Sequence, residues 1–375
     1  MIKQIDLRRF IATNDVCTKL NNLRRWTDFT TQQKYNELAK QAFNCIVAFM
    51  LAHHAESKGK TICYEKFPRI AIGRAFAKVY VYFDTPEHKI NEICNLNGIS
   101  KDEFDIVATK IISEKTDKEF AQFLSEERGE YEVQIYKAAT KIATYIELFE
   151  QQKNISDFSK FQEIQRDIDS FKDDIPGIYE FSDTNSPIFK LLQELSKLRN
   201  QVRWATCSYN TECSVLGHLF DTAVFAYLLA LNESNFDEEY ASKMFFMGIF
   251  HDVAETWTKD IPSPIKDRID GFRVATEKYE LHKLEQKMYS KVPEYLQTAL
   301  KSVMMEDEEN AKYKKALKAA DYLSADSECY RNLLSGSRDP YFCKAIKRRK
   351  IDEDLSKLYK AVHNYFVKYV NKVNL

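Results

Sequence analysis

Apolar residues recur at helical spacing along almost the whole chain. Between residues 35 and 56, Leu38, Ala42, Cys45, Ile46, Phe49 and Met50 step by three and four, which predicts a helix with one buried face. Leu216–Leu231 is apolar on nearly every side and predicts a helix at the centre of the fold. Near the end, Leu355, Leu358, Val362, Tyr365, Phe366, Tyr369 and Val373 form the stripe of a closing helix. No long run alternates with period two, so the expected fold class is all-α. Three stretches break the pattern. Asp173–Pro187 holds Pro176, Gly177, Asn185 and Pro187 and reads as the linker between two domains, 1–175 and 190–375. Ile261–Pro264 carries Pro262 and Pro264 and must turn; Leu334–Pro340 carries Gly336 and Pro340 and reads as a loop.

Composition sharpens this picture. Glycine (9) and proline (8) are scarce in 375 residues, which disfavours turn-rich β architectures, and 44% hydrophobic residues suffice for a core. The net charge of −1 gives no global field toward nucleic acid or an anionic membrane, and neither partner is expected. The basic run Lys344–Lys350, followed by Asp352, Glu353 and Asp354, reads as a solvated face. Eight scattered cysteines form no C-x-x-C pair. The start, MIKQIDLRRF, lacks the apolar stretch of a signal peptide, and runs such as Ala223–Leu231 are shorter than the roughly 18 residues of a bilayer span. A reduced, cytoplasmic protein is the expectation.

The candidate chemistry lies in the second half. His218 stands near the start of the apolar Leu216–Leu231 segment, and His251 ends the apolar run Met244–Phe250 with Asp252 beside it. Asp321 sits among small apolar residues in Ala319-Ala320-Asp321-Tyr322-Leu323, where a carboxylate is costly to bury unless it is paired or ligates a cation. Two imidazoles and two carboxylates from three helical segments suit one divalent metal, with coordination positions left for water and a phosphate oxygen.

In its H…HD…D order the chain resembles the HD-domain metal-dependent phosphohydrolases. The stretch from Gly248 through His251-Asp252 and Glu255 to Ser263-Pro264-Ile265-Lys266, with Arg203-Trp204 upstream, resembles the bacterial HD-domain 5′-deoxynucleotidases over about residues 200–340. The resemblance implies an HD helical bundle and one divalent cation (Mn, Co, Zn, Fe, Ni or Mg) on His218, His251, Asp252 and Asp321. It implies that Glu255 is the general acid or base and that Asp260 orients sugar or nucleophile. It further implies that Arg203 clamps the phosphate and Trp204 supports sugar or base. One departure stands out: the family usually has Glu before the first metal histidine, where this chain has Gly217, with Glu212 nearby. Only His282 lies between Asp252 and Asp321 and no GYP follows, which favours one metal over two.

The first half echoes the second. Leu23-Arg24-Arg25-Trp26 resembles the Arg203-Trp204 block, Lys40-Gln41 stands near the place of Gly217-His218, and Ile72–Ala77, running to Asp84-Thr85-Pro86, resembles the Gly248–Pro264 block with Phe76 near the place of His251. Lys137–Ile142 resembles Lys318–Leu323 with Thr140 in place of the acid. The expectation is a tandem pair of HD-like domains of which only the C-terminal one is metal-competent, with His53 and His54 structural. The first copy would then cover the second as a homodimer partner does, and a homo-oligomer of the whole chain stays open. The expected activity is phosphate removal from (deoxy)nucleoside 5′-monophosphates. The alternatives are an HD phosphohydrolase for an alarmone, cyclic nucleotide, triphosphate or other small phosphorylated substrate, and a nucleotide sensor with little turnover.

Overall fold

The computed structural model describes the chain except residues 1–3, 28–30, 32, 84, 86, 101, 126–129, 153–158, 235–236, 262, 267, 305–312, 350–355 and 373–375. Asp84, Pro86, Pro262, the acidic run 352–354, Leu355 and Val373 therefore lie outside the described residues. What is described is all-α apart from one two-rung hairpin, Val202–Arg203 with Cys213–Ser214. The expected helices are present as Glu37–Ser57, Val215–Glu233 and Lys357–Lys372, and the chain breaks between Leu334 and Pro340.

Local chemistry sets the helix starts. Asn36, Ser214 and Asp237 each accept a backbone N–H from the first turn that follows, so the helices Glu37–Ser57, Val215–Glu233 and Glu238–Phe250 begin with a satisfied donor. Val215–Glu233 is long and apolar enough to cross a membrane, yet it is the buried centre of the bundle. It packs against Glu238–Phe250, Lys314–Leu334 and Glu37–Ser57, and the last of these packs on Glu130–Glu150. Phe220, Phe225, Phe245 and Phe250 are fully buried around it, each worth about 1.5–3 kcal/mol of transfer free energy. Gly248 permits the tightest approach: a Cβ there would stand 2.5 Å from Ala223 Cα.

One hydrophobic core runs through both halves, and the leading helix of each half reaches into the other. From Leu7–Asn22, Phe10 meets the Phe225 ring at 4.7 Å, Thr18 accepts from Arg331 Nε at 3.1 Å, and Asn21 donates to Glu212 O. From the segment that opens the second half, Phe189 packs on Tyr145 and Phe149, Ser196 donates to Glu150, and Arg199 donates to Glu147 at 2.7 Å.

Two expectations change. The Asp173–Pro187 stretch is packed rather than loose: Ile175, Ile178 and Phe181 are buried, and Gly177 (φ 77°) lies so close to His54 that a Cβ would fall 2.2 Å from its Nε2. His54 in turn meets Tyr295 OH at 2.6 Å, a structural contact between the halves. The basic run is not wholly solvated either. Arg349 donates from Nε and Nη2 to the buried Asp326, because that carboxylate, shared with His363, needs a cation.

Candidate active site

The hairpin aims the first part of the site. Val202 pairs with Ser214 and Arg203 with Cys213, and Val215 N donates to Gln201 O at 2.9 Å. Ser214 Oγ then caps the helix by accepting from Gly217 N at 3.1 Å, which places His218 in the first turn, fully buried. Trp204 adopts a left-handed backbone (φ 59°), a costly conformation for a bulky residue. Arg203 Nε (3.1 Å) and Trp204 Nε1 (2.7 Å) both donate to Oε2 of Glu328.

His251 and Asp252 stand where Glu238–Phe250 ends. His251 Nδ1 donates to Gly248 O at 2.8 Å, which leaves Nε2 buried with no hydrogen-bond partner among the described residues. That orphan nitrogen lies 3.2 Å from Asp252 Oδ2, which is 3.8 Å from His218 Nε2. One ligand atom from each of His218, His251 and Asp252 falls within 4.8 Å of the others, as ligation of a single ion requires. Asp321 joins through Oδ1, 3.1 Å from His218 Nε2, while its Oδ2 accepts from Lys318 Nζ at 2.5 Å. The compact donor set of His218, His251 and Asp252, with an unpartnered nitrogen among them, fits a divalent cation, and Asp321 meets it through His218.

His218 is oriented from behind. Its Nδ1 meets Ser324 Oγ at 2.8 Å and lies 3.2 Å from Glu328 Oε1, so Nε2 faces the other ligands. Burial and Arg203 push the imidazole pKa down, but Glu328 and Asp321 outweigh them and raise it to about 9. Glu328 is itself buried, yet Arg203 and His218 hold its carboxyl at about 2. Burial also works against ionised Asp252 and Asp321; the histidines and, for Asp321, Lys318 overcome it and keep both carboxyls below the usual range.

Glu255 behaves oppositely. It begins the short helix Glu255–Thr258, is buried, and has an Oε2 with no hydrogen-bond partner among the described residues. Burial and then the charges of Asp252 and Asp260 raise its carboxyl well above the usual range, against the pull of Arg203 and Lys266. Asp260 is exposed, close enough for its charge to act on both Glu255 and Arg203. Among the described residues the Arg203 side chain hydrogen-bonds through Nε alone, which leaves its terminal amino groups facing a possible ligand.

The structure thus brings His218, His251, Asp252 and Asp321 together and places Glu255, Asp260 and Arg203 around them. The Trp204 indole N–H is committed to Glu328 and its ring packs on Tyr341 and Phe342. His282 is exposed and takes no part. Glu212 does not replace the missing glutamate, since it pairs with Lys34 at 2.6 Å. At Gly217 a Cβ would meet Leu38 Cδ2 at 3.2 Å, so a side chain from the first half fills that space. Two residues escaped the sequence reading, Glu328 and Lys318. Glu328 lies two turns beyond Asp321 on one helix face, a spacing that was the available signal.

The local geometry around His218 recurs in the first half. Arg24 bridges Asn36 as Val202 pairs with Ser214, and Glu37 N donates to Leu23 O at 3.0 Å as Val215 N does to Gln201 O. Trp26 has the same φ of 59° as Trp204, and its Nε1 donates to Glu147 at 2.9 Å as Trp204 does to Glu328. Among the described residues the positive-φ non-glycines form two pairs, Trp26 with Trp204 and Phe83 (50°) with Lys259 (60°). This register sets Lys40 opposite His218 and Ala39 opposite Gly217. At the next block Arg74 lines a cavity, whereas Phe76 is buried in the core.

Comparison with known proteins agrees with the second half. The family model described as 5′-deoxynucleotidase YfbR-like matches residues 190–373. The 5′-deoxynucleotidase of Cronobacter sakazakii (strain ATCC BAA-894) is 26% identical over 176 residues, 46% of this chain and 85% of that protein. The 5′-deoxynucleotidase YfbR of Escherichia coli O1:K1 / APEC is 28% identical over 148 residues, 39% of this chain and 73% of that protein. With an all-helical bundle around a histidine–aspartate cluster, the second half of the chain is similar to the YfbR-like 5′-deoxynucleotidases of the HD superfamily.

Proposed function

We propose that this protein is a metal-dependent nucleotidase that removes phosphate from (deoxy)nucleoside 5′-monophosphates with one divalent cation on His218, His251, Asp252 and Asp321. The observation that carries the reading is the convergence of His218, His251 and Asp252 beside Glu255 and Arg203, within the segment that matches the nucleotidase family. A cation bound there supplies Lewis-acid activation of water and of a phosphoryl oxygen. The chain's own residues do the rest. Arg203, anchored through Nε to Glu328, offers its terminal amino groups to the phosphate in a charge-assisted clamp. Glu255 keeps a proton because burial and neighbouring acids oppose its ionisation, and it serves as general acid. The water oxygen forms the new bond to phosphorus, the P–O5′ bond breaks, and O5′ leaves with the proton of Glu255. The proton released by water passes through Asp260 to solvent. Trp204 acts as a positioning residue through Glu328.

The repeated geometry supports a tandem arrangement in which 1–175 is a copy of 190–375 that has lost its metal ligands, with Lys40, Arg74 and Thr140 in their places. The test is phosphate release from a panel of nucleoside and deoxynucleoside 5′-monophosphates with Mn²⁺, Co²⁺, Mg²⁺ or EDTA, beside Asp252→Ala. Metal-dependent release lost in Asp252→Ala is expected. No release with any metal, from protein that binds one, overturns the reading.

A further inference from the structure

The first half contains a cavity of about 350 Å³, a size that fits a small organic ligand. It opens between the helices that carry Lys40, Arg74 and Thr140, at the place that corresponds to the metal site of the second half. Its lining is strongly cationic, with eight lysines and arginines against four acids. Some of those charges are spent internally: Lys141 pairs with Asp167, Lys160 with Glu163, and Arg25 with Glu37 and Glu147. Others are not. Arg24 and Lys89, both exposed at the rim, have no ionic partner among the described residues.

The floor is built rather than incidental. Lys40 is 1% exposed, and its ammonium is anchored by Thr144 Oγ1 at 2.8 Å and Thr140 O at 3.2 Å. A buried lysine held this way, 3.9 Å from Glu147, stands where the other half has His218, and burial pushes its pKa well below the usual lysine value. Arg74, which lies over the Tyr136 ring, puts a cation on the wall. One turn beyond Lys40, Asn44 is buried and lines the cavity, and its amide oxygen has no hydrogen-bond partner among the described residues. That oxygen can accept from a sugar hydroxyl or a base amino group. Trp26 and Tyr82 add aromatic surface to the same lining.

We propose that this cavity is a second, non-hydrolytic nucleotide site, which holds the phosphate of a nucleoside monophosphate on Arg74 with Arg24 and Lys89 at the mouth. The proposal rests on the tandem reading above for the choice of a nucleotide, and on the cavity's own charge for the phosphate. Among the described residues no histidine–carboxylate cluster lines the cavity, and the bound phosphate ester is kept intact.

The experiment is calorimetric titration of the full chain carrying Asp252→Ala, in EDTA, with the nucleoside monophosphate panel and with inorganic phosphate. Expected is one bound nucleotide per chain, weakened at least tenfold by Arg74→Ala and several-fold by each of the rim variants Arg24→Ala and Lys89→Ala. The rim variants change exposed side chains and keep the test valid if Arg74→Ala fails to fold. Absence of binding, or binding that all three variants leave unchanged, overturns the proposal. Inorganic phosphate that binds as tightly as every nucleotide overturns its nucleoside part. Phosphate release by the unaltered chain is read separately, so loss of this site and loss of the nucleotidase reading give different results.

Discussion

Removing the carboxylate of Glu328 while keeping its shape, in Glu328→Gln, tests how the site is held. Glu328 is 1% exposed and takes hydrogen bonds from Arg203 Nε and Trp204 Nε1, with His218 Nδ1 3.2 Å away. The amide keeps one acceptor but leaves a buried guanidinium without its counter-charge. Breaking one side of a buried pair costs about 3–5 kcal/mol, and the retained acceptor places this variant near 3 kcal/mol. For a chain of this length that is a fall of about 4 °C in Tm. The carboxylate behind a ligating histidine is worth about 10–100-fold in metal affinity. Glu147→Gln supplies the control, because Glu147 holds Arg25, Trp26 and Arg199 in the first half as Glu328 holds Arg203 and Trp204 in the second. Both variants should lose similar stability in thermal unfolding without metal. Only Glu328→Gln should lose affinity in metal titration. Equal metal affinity in the two variants, or a Glu328→Gln protein as stable as the parent, would refute the reasoning.

Three further outcomes follow from the geometry. Gly248→Ala forces a methyl to 2.5 Å from Ala223 Cα, so the two helices must part; about 1–3 kcal/mol of stability should go, with a larger loss of phosphate release as His251 shifts. Glu255→Gln should keep the fold and metal affinity but lower kcat by about 10²-fold or more, and a kcat near that of the parent removes Glu255 as the acid. Acid should unfold the metal-free chain in a defined window. Glu328 has its carboxyl held at about 2, so its stabilisation is complete above its ordinary pKa near 4.5 and is lost as the pH falls from there toward 2. Urea midpoints across that range should fall less steeply for Glu328→Gln than for the parent.

Much of this site was readable from the chain because its chemistry violates local expectation. A histidine in the mostly apolar Val215–Glu233 helix and an aspartate among alanines are conspicuous, as is the His251-Asp252 pair closing an apolar run. Glu328 was not conspicuous: in Ser327-Glu328-Cys329 it looks like an ordinary helix acid, and only the approach of Arg203 and Trp204 across the hairpin shows its part. Lys318 likewise reads as surface until Asp321 is seen to hold it. The cationic cavity was invisible in sequence, since its residues come from separate segments whose local charge is unremarkable.

The exchanged leading helices also bear on how this chain can change. Phe10 under Phe225, and Phe189 under Tyr145 and Phe149, make each half a supplier of the other's interior. A deletion that strips away the first half would unroof the second, and 190–375 expressed alone should aggregate. Inheritance of the second half therefore carries the first with it, core and seam together.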